Sequence, residues 1–425
     1  MSFAFSLVFV AFLLLTVGLK YWLATRQIRH VAAHADAVPA QFAERVSLEA
    51  HRKAAAYTIA KQRFALIETA VGAALLVALT LLGGLQAIAD ALAALLGRGF
   101  VFQVGVVAAV VVIVSVVDIP FTWYRQFRIE QAFGFNRMTL RTFGADLAKS
   151  ALLAVLLGLP VLAVVLWLMQ RAGDLWWLYA WLVWIAFNAL VLVLYPTVIA
   201  PLFNKFEPLA DAALAERIGR LLARTGFSSK GVFVMDGSRR SSHGNAYFTG
   251  LGRRKRIVFF DTLVERLQPH EIEAVLAHEL GHFKLRHIRK RLVVSALASL
   301  AFLAALGWLA DQTWFYQGLG VQPALDARND GLALVLFILV APVFTFVLGP
   351  LAAAFSRAHE FEADAFAARY SSPRDLVSAL AKLYQDNAAT LTPDPLYSAF
   401  YDSHPPAAIR IERLLAQPQP APAAA

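Results

Sequence analysis

Seven apolar runs, each close to the length that a helix needs to cross a bilayer, constrain the fold of this chain more than any other feature. They cover residues 3–24, 66–83, 101–119, 150–170, 175–195, 292–310 and 332–354. A bilayer core is spanned by about 20 helical residues, so the sequence predicts seven membrane helices. The composition agrees, because 59% of the 425 residues are hydrophobic, only 16% are charged, and the mean hydropathy is +0.59. A weaker run at 84–97 contains Asp90, which favours a hairpin or surface helix on the outer side.

Lysine and arginine are concentrated in alternate loops, which predicts the orientation of the spans. The loop after the first span contains Arg26, Arg29, Arg45, Arg52, Lys53, Lys61 and Arg63, and the loop after the third contains Arg125, Arg128, Arg137, Arg141 and Lys149. These loops are predicted to be cytoplasmic, together with segments 196–291 and 355–425. The formal net charge of +10 is then explained by basic loops that face anionic lipid, and we expect no nucleic-acid partner.

Segment 196–291 is predicted to be the main soluble part and to contain a small antiparallel sheet. Three short runs of β-branched and aromatic residues, at 231–235, 245–250 and 256–260, are bounded by glycine, serine and basic residues. An edge strand can hold an extended peptide by main-chain hydrogen bonds. The stretch Asn245-Ala246-Tyr247-Phe248 is the candidate, because it directly precedes the motif described next; an ordinary strand without a substrate role is the alternative.

The motif is His278-Glu279-Leu280-Gly281-His282, an H-E-x-x-H pattern in a predicted helix that begins at Pro269. At about 3.6 residues per turn, His278 and His282 share one helix face and can bind one metal ion, with Glu279 beside them as a general base for a water molecule. The sequence contains no cysteine, so any metal must use histidine and carboxylate ligands. A chance pattern on a solvated helix is the alternative, but the surrounding residues are apolar and would make unpaired histidines costly.

A second acidic pattern follows the last span. Glu360 and Asp364 are four residues apart and share a helix face, whereas Glu362 points nearly opposite. Zinc bound by Glu360, with Asp364 accepting the free N–H of a ligating histidine, would explain two like charges on one face. The alternative is a solvated acidic helix end in which Arg357 and Arg369 pair with the carboxylates.

His404 is a further candidate, in the stretch Ser403-His404-Pro405-Pro406. Its imidazole could donate a hydrogen bond to the oxyanion that forms when water attacks a peptide carbonyl. A histidine before two prolines is also a common turn residue, and by itself this stretch favours the turn.

Several stretches together resemble the type I CAAX prenyl protease family, the seven-span zinc metalloproteases that mature prenylated yeast pheromone and prelamin A. The resemblance runs from about residue 118 to 410. It rests on His278–His287, Ser356–Asp364, Phe127–Asn136, Ile199–Phe206, Ser241–Phe248, Asp261–Leu263 and Ser403–Pro406.

The resemblance implies a site and a fold. It implies zinc ligands at His278, His282 and Glu360, a base at Glu279, a supporting carboxylate at Asp364, substrate or transition-state contacts at Asn245 and His404, and a structural or active-site role for Arg410. It also implies one zinc ion per chain, a polypeptide substrate that is prenylated or membrane-associated, and seven helices around a water-filled chamber with a zincin-like α+β catalytic domain at its cytosolic end.

Some features differ from the family pattern. Phe283 stands where the family often has tryptophan, and the sequence has no Lys/His-Asp-Glu-Leu retention signal and no cysteine. With the high alanine, leucine and arginine content, these features indicate a bacterial inner-membrane protein whose active site faces the cytoplasm. Whether its substrate must be prenylated stays open.

The expected organisation has five parts. Residues 1–195 hold five spans, 196–291 the sheet and the H-E-x-x-H helix, 292–354 two spans, 355–416 the helices with the third ligand, and 417–425 a disordered Pro/Ala-rich tail. The predicted function is that of an integral-membrane zinc endopeptidase. Two alternatives are a membrane quality-control zinc protease, which typically has about four spans, and a non-catalytic metal-binding carrier or scaffold.

Overall fold

The computed structural model describes residues 1–249 and 256–417, and it is mainly helical. Seven helices are long and apolar enough to cross a membrane, and we call them spans one to seven. They are Ser2–Ala33, Leu48–Leu79, Phe100–Glu130, Leu140–Arg171, Gly173–Phe203, His287–Leu309 and Asp330–Tyr370. The predicted number of spans is thus confirmed. Most spans continue beyond their apolar runs, because the polar residues that flank the runs keep the helical hydrogen bonds.

The weaker apolar run between spans two and three forms the helix Gly84–Leu96. Leu85 and Ala89 are buried on the face that packs against the spans, whereas Leu95 is exposed. This amphipathic pattern is typical of a helix that lies along a protein surface, as the sequence predicted.

Span five is lightly covered by the rest of the protein. None of the residues in its most apolar stretch is buried, although the Trp181 indole donates to the Ala296 carbonyl of span six. A cavity of about 480 Å³ lies between spans one, two and seven. It shares Gln62, Tyr397 and Tyr401 with a second cavity of about 360 Å³, which in turn shares Tyr384 and His404 with the cleft at the candidate site. The three cavities therefore adjoin one another between the spans and that cleft.

The soluble part contains a four-stranded sheet with strands β1 Phe206–Pro208, β2 Val232–Met235, β3 Ala246–Thr249 and β4 Arg256–Phe260. The spatial order is β1-β2-β4-β3, with β2 and β4 parallel and the other pairs antiparallel. The prediction of a purely antiparallel sheet is therefore wrong, and β1 was missed. Three consecutive residues of β4, Ile257 to Phe259, are buried, a pattern typical of a central strand covered on both faces.

Seven shorter helices complete the described residues. They are Ala212–Arg224, Asp261–Arg266, Pro269–Lys284, Thr313–Gln317, Pro373–Asp386, Pro395–Tyr401 and Ala407–Leu415. One hydrophobic core joins the sheet to Pro269–Lys284, with Ile257, Phe259, Leu276 and Leu280 among its buried members. Residue 250 of the predicted strand and residues 418–425 of the predicted tail lie outside the described residues.

The H-E-x-x-H helix, Pro269–Lys284, begins as predicted at Pro269. Gln268 and Glu271 form a reciprocal capping box that satisfies N–H groups of the first turn. The helix ends at Lys284, and Arg286 then takes a left-handed conformation with φ 60° before span six begins at His287. The bend directs span six away from the H-E-x-x-H helix while keeping His287 close to it.

Span seven passes through a 3-10 turn at Phe346–Leu348, continues as the α-helix Gly349–Tyr370 and carries Glu360 and Asp364 on its last three turns. It packs closely against the H-E-x-x-H helix at Gly281, where an added Cβ would lie 3.0 Å from the Cα of Ala363 and 3.1 Å from the Cβ of Phe366. Any larger residue at 281 would push the two helices apart. The small size of Gly281 therefore allows the contact that brings Glu360 next to the two histidines.

Candidate metal centre and active site

Three side chains from two helices converge on one point. The Nε2 atoms of His278 and His282 are 3.2 Å apart. Glu360 places Oε2 3.4 Å from the His278 nitrogen and Oε1 3.3 Å from the His282 nitrogen. The two stretches that the sequence singled out, before span six and at the end of span seven, therefore meet.

The spacing of these atoms fits a tetrahedral metal ion. Zinc bonds of about 2.0–2.2 Å at a tetrahedral angle put ligand atoms about 3.3 Å apart, which matches the observed distances. Within the described residues, Glu360 Oε2 is buried yet has no hydrogen-bond partner, and such an orphaned oxygen is costly unless a cation is close to it. Of the described His, Asp and Glu residues, these three form a group that could hold a metal.

Asp364 and Arg410 hold the first histidine in the orientation that a ligand needs. Asp364 Oδ1 lies 2.9 Å from His278 Nδ1, so the ring proton is donated there and the Nε2 lone pair is free to face the metal position. Arg410 donates two hydrogen bonds to Asp364, of 2.6 and 2.9 Å, and both side chains are buried. Arg357, which the alternative paired with these carboxylates, instead donates to main-chain carbonyls of residues 398, 399 and 402.

The second histidine is held by a relay that sequence reasoning missed. Glu362 Oε2 accepts from His287 Nε2 at 2.8 Å, and His287 Nδ1 lies 3.1 Å from His282 Nδ1. Because the Nε2 proton of a neutral His287 is used by Glu362, its Nδ1 accepts the proton of His282 and leaves the Nε2 of that ligand free. The ring of His359 stacks on His287 with centroids 4.1 Å apart. The sequence offered one signal for this contact: Glu362 points away from Glu360 and Asp364 on the same helix and therefore needs a different partner.

The electrostatics of the cluster favour a positive charge. Burial alone would lower the pKa of His278, but hydrogen bonds to Asp364 and Glu360 outweigh burial and raise this pKa to about 9 in the metal-free protein. The same carboxylates would favour a metal cation at this point and would make its binding compete with protons. Burial raises the pKa of Glu279, against the opposing effect of the two histidines, as expected for a carboxylate that accepts protons.

A cleft of about 330 Å³ opens beside the cluster. It is lined by Asn245, Ala246, His278, Glu279, His404, Arg410 and Asn387, together with the apolar side chains of Leu263, Val275, Leu376, Leu380 and Leu383. The cleft thus brings together the predicted base, Glu279, and both predicted contacts to the reacting carbonyl. His404 is half-exposed, and its Nε2 lies 3.5 Å from Glu360 Oε2.

Asn245 is fixed so that its amide nitrogen is available. Its side-chain oxygen accepts the N–H of Ala246 at 2.8 Å, and its main-chain carbonyl accepts the N–H of Phe260 at 2.9 Å. With both oxygens occupied, the exposed Nδ2 group remains as a donor toward the cleft. His404 has a similar arrangement, because the Ser403 hydroxyl lies 3.0 Å from Nδ1 and a bond donated there would leave the proton on Nε2.

Strand β3 is an edge strand of the sheet within the described residues, since it pairs only with β4. The carbonyl of Asn245 points toward β4, so by the alternation of an antiparallel pair Tyr247 also faces β4, and Ala246 and Phe248 face the open edge. Ala246 and Phe248 pack their side chains on the hydrophobic core. The Tyr247 hydroxyl points to Met235 Sδ at 3.9 Å. The open edge of β3 therefore presents main-chain groups rather than side chains.

We expect Asp364→Ala to destabilise the protein strongly, because it leaves the Arg410 guanidinium buried without its partner. Removing one member of a buried ion pair costs about 3–5 kcal/mol of folding free energy. The measurement is thermal unfolding in detergent at fixed metal concentration. The double variant Asp364→Ala with Arg410→Met is the control and should recover most of the loss; equal instability of both variants would contradict this account of the pair.

Comparisons with known proteins agree with this geometry. Residues 27–205 match a family model described as CAAX prenyl protease N-terminal, five membrane helices, and residues 208–417 match Peptidase family M48. A CAAX prenyl protease 1 homolog of Arabidopsis thaliana is 39% identical over 309 residues, which cover 71% of this chain and 70% of the relative. The chain belongs to the type I CAAX prenyl protease family.

Other members of the type I CAAX prenyl protease family match over similar lengths. CAAX prenyl protease 1 of Saccharomyces cerevisiae is 37% identical over 314 residues, covering 71% of this chain and 69% of the relative. The crystal structure of S. mikatae Ste24p superposes with a TM-score of 0.89 at 30% identity and covers 96% of this chain and 99% of that one. The predicted chamber fold of seven spans and the prediction of a membrane metalloendopeptidase are therefore confirmed. Neither alternative function is favoured.

Proposed function

We propose that this protein binds one zinc ion through His278, His282 and Glu360 and cleaves peptide bonds of membrane-associated polypeptides at that position. The observation that carries the proposal is the convergence of both Nε2 atoms on the Glu360 carboxylate: the nitrogens are 3.2 Å apart, and each lies 3.3–3.4 Å from one of its two oxygens. When bound, Zn²⁺ polarises a peptide carbonyl and lowers the pKa of water to about 7. The remaining chemistry belongs to side chains of this chain.

Glu279 is the proposed general base. It lines the cleft beside His278 and is not itself one of the three converging ligands. It takes a proton from the attacking water and returns it to the leaving amine nitrogen, so that the base is regenerated at the end of each cycle. The raised pKa of this carboxylate brings it closer to the pH at which both transfers are favourable.

Asn245 and His404 are proposed to stabilise the carbonyl oxygen as it gains negative charge. Both line the cleft. Asn245 Oδ1 is occupied by the Ala246 N–H, which leaves Nδ2 as the donor, and a hydrogen bond donated by Ser403 to His404 Nδ1 would leave the proton on Nε2. Donors that are held in place before the reaction stabilise developing charge at little reorganisation cost. Asp364 and Arg410 are proposed to support the site by holding His278.

The open edge of β3 is proposed to bind the substrate as an added strand. The Ala246 carbonyl and both main-chain groups of Phe248 would hold the peptide, because the Ala246 N–H is already donated to Asn245 Oδ1; Asn245 and Tyr247 complete the strand. Because main-chain bonds carry little sequence information, the apolar side chains of the cleft would set the preference for substrate side chains. The cavity between spans one, two and seven, which adjoins this cleft through a second cavity, is the proposed path for a membrane-associated chain.

The proposed location is a bacterial inner membrane with the site facing the cytoplasm. The basic loops before span two and after span three support this orientation. The proposed substrates are polypeptides, whether prenylated or not, and the basic charge of the chain is assigned to lipid rather than to nucleic acid.

Metal removal is the direct test. Purified protein should contain about one zinc per chain, and a chelator should abolish cleavage of a test peptide until zinc is restored. A farnesylated peptide and the same peptide without the lipid, assayed side by side, show through the ratio of their kcat/KM values whether the lipid is required. Cleavage that persists at full rate in protein shown to be metal-free would overturn the proposal.

A further inference from the structure

Two stretches of the sequence have no role in the chemistry above, and the structure joins them. The end of span three and the residues after it, 127–136, pack against residues 240–244, which lead into Asn245 and β3. The Ser242 N–H donates to the Phe135 carbonyl at 3.2 Å, and the Arg137 N–H donates to the Arg240 carbonyl at 3.1 Å, with a bridge between Asn136 and Ser241. The membrane part is thus hydrogen-bonded directly to the segment that carries Asn245.

His243 lies at the centre of this junction. Its Nε2 faces Glu130 Oε2 at 3.3 Å, and its Nδ1 faces Asn387 Oδ1 at 3.1 Å. The ring of Phe135 stacks on the imidazole, with centroids 4.4 Å apart and planes inclined by 27°. Glu130 is held in turn by the Tyr57 hydroxyl, which donates to its Oε1 at 2.5 Å. Contacts from span two, span three and the C-terminal helices therefore fix one imidazole.

Asn387 also holds Gly244, the residue that follows His243. Its Oδ1 accepts the Gly244 N–H at 3.2 Å, and its Nδ2 donates to the Gly244 carbonyl at 3.5 Å. The residue after Asn387, Ala388, is buried with φ +43°, in the left-handed region that residues with a Cβ adopt at a cost. The strained residue therefore lies directly beside Asn387, the residue that contacts the segment before β3. Backbone strain of this kind is often found at functional sites.

The contacts of Glu130, His243, Asn387 and Gly244 form a continuous series that ends next to Asn245. Gly244 is clamped on both main-chain groups, and Asn245 follows it with its carbonyl fixed by Phe260 and its side-chain oxygen fixed by Ala246. We propose that Glu130, His243 and Asn387 are positioning residues that act through Asn245 by holding its side-chain amide at the correct distance from the metal centre. This inference rests on the proposed role of Asn245 in substrate binding.

A double-mutant cycle tests the inference in the full-length protein in detergent. His243→Ala and Asn245→Ala are each expected to lower kcat/KM, the first by up to about 100-fold, since a displacement of about 1 Å can have that effect. The double variant should be no slower than Asn245→Ala within about two-fold, because His243 acts only through Asn245. Metal content measured on every variant should stay at the wild-type value.

A conservative pair separates positioning from folding. Asn387→Asp keeps the acceptor for Gly244 and His243 and should retain most of the activity, whereas Asn387→Leu removes it and should resemble His243→Ala. Glu130→Gln should be milder than Glu130→Ala for the same reason. Asp90→Ala, which removes an ion-paired carboxylate on the opposite side of the membrane, is the control and should leave kcat/KM unchanged.

The outcomes distinguish the inference from the proposal on which it rests. If Asn245→Ala has full activity, the role of Asn245 in the proposed function is wrong. If Asn245→Ala is impaired and the loss from His243→Ala adds to it fully, the positioning role is wrong while the role of Asn245 stands. Loss of metal from Asn387→Leu or His243→Ala would likewise overturn positioning in favour of a general structural role.

Discussion

Glu279→Gln is expected to lower kcat by about 10²–10⁴-fold, the usual contribution of a general acid–base group, and to leave the metal content unchanged. The amide keeps the size and the hydrogen-bonding shape of the carboxylate but cannot take a proton from water. His278, His282 and Glu360, whose atoms lie 3.2–3.4 Å apart, are untouched by the change. The measurement is single-turnover cleavage of a test peptide together with metal analysis of the same preparation.

Glu265→Gln is the matched control for this substitution. Glu265 lies in the nearby helix Asp261–Arg266 with its side chain exposed, and kcat should not change. Retention of the wild-type rate by Glu279→Gln would mean that another group removes the proton. Simultaneous loss of rate and metal would instead place Glu279 in the metal coordination and contradict its role as base.

Much of the metal centre could be predicted from the sequence, because its members lie close together in two helices. His278 and His282 are one turn apart, so helix geometry alone places their rings on one face. The same reasoning pairs Glu360 with Asp364 at the end of span seven. The seven spans could also be predicted from local sequence, because the length of an apolar run and the thickness of a bilayer suffice to identify a membrane helix.

The features that sequence reasoning missed depend on packing between distant segments. The relay from Glu362 through His287 to His282 requires the chain to bend at Arg286, and nothing in the local pattern indicates a left-handed arginine there. The sheet order was also missed, because strand runs carry no information on their neighbours. The position of β4 between β2 and β3 appears only in the strand pairings of the folded protein.

The meeting of the two ligand helices is the feature of the fold on which the site depends most. Histidines on one helix and a carboxylate on another reach a common point only because Gly281 lets the helices touch at Ala363. The carboxylate is then buried with one oxygen lacking a hydrogen-bond partner among the described residues. A buried carboxylate in that state is stabilised by a cation, so the packing that builds the core also creates a position that favours a cation.

Glu360→Ala is therefore expected to abolish stoichiometric metal binding and, with it, all metal-dependent cleavage. The change leaves two histidine ligands where a catalytic zinc site uses three protein ligands. Glu362→Ala, two residues along the same helix, removes only the partner of His287 and should weaken metal affinity by about 10–100-fold, the usual effect of losing a supporting group. Competition with a chelator of known affinity, followed by metal analysis, measures both variants on one scale.

The two variants also separate loss of a ligand from loss of its support. Excess zinc should restore cleavage by Glu362→Ala, because its three ligands remain, and should not restore cleavage by Glu360→Ala. Binding of metal should raise the thermal midpoint of the wild type and of Glu362→Ala, since a ligand that binds only the folded state stabilises it. A stoichiometric zinc ion in Glu360→Ala would show that the two histidines bind metal with a different third group, and the proposed centre would be wrong.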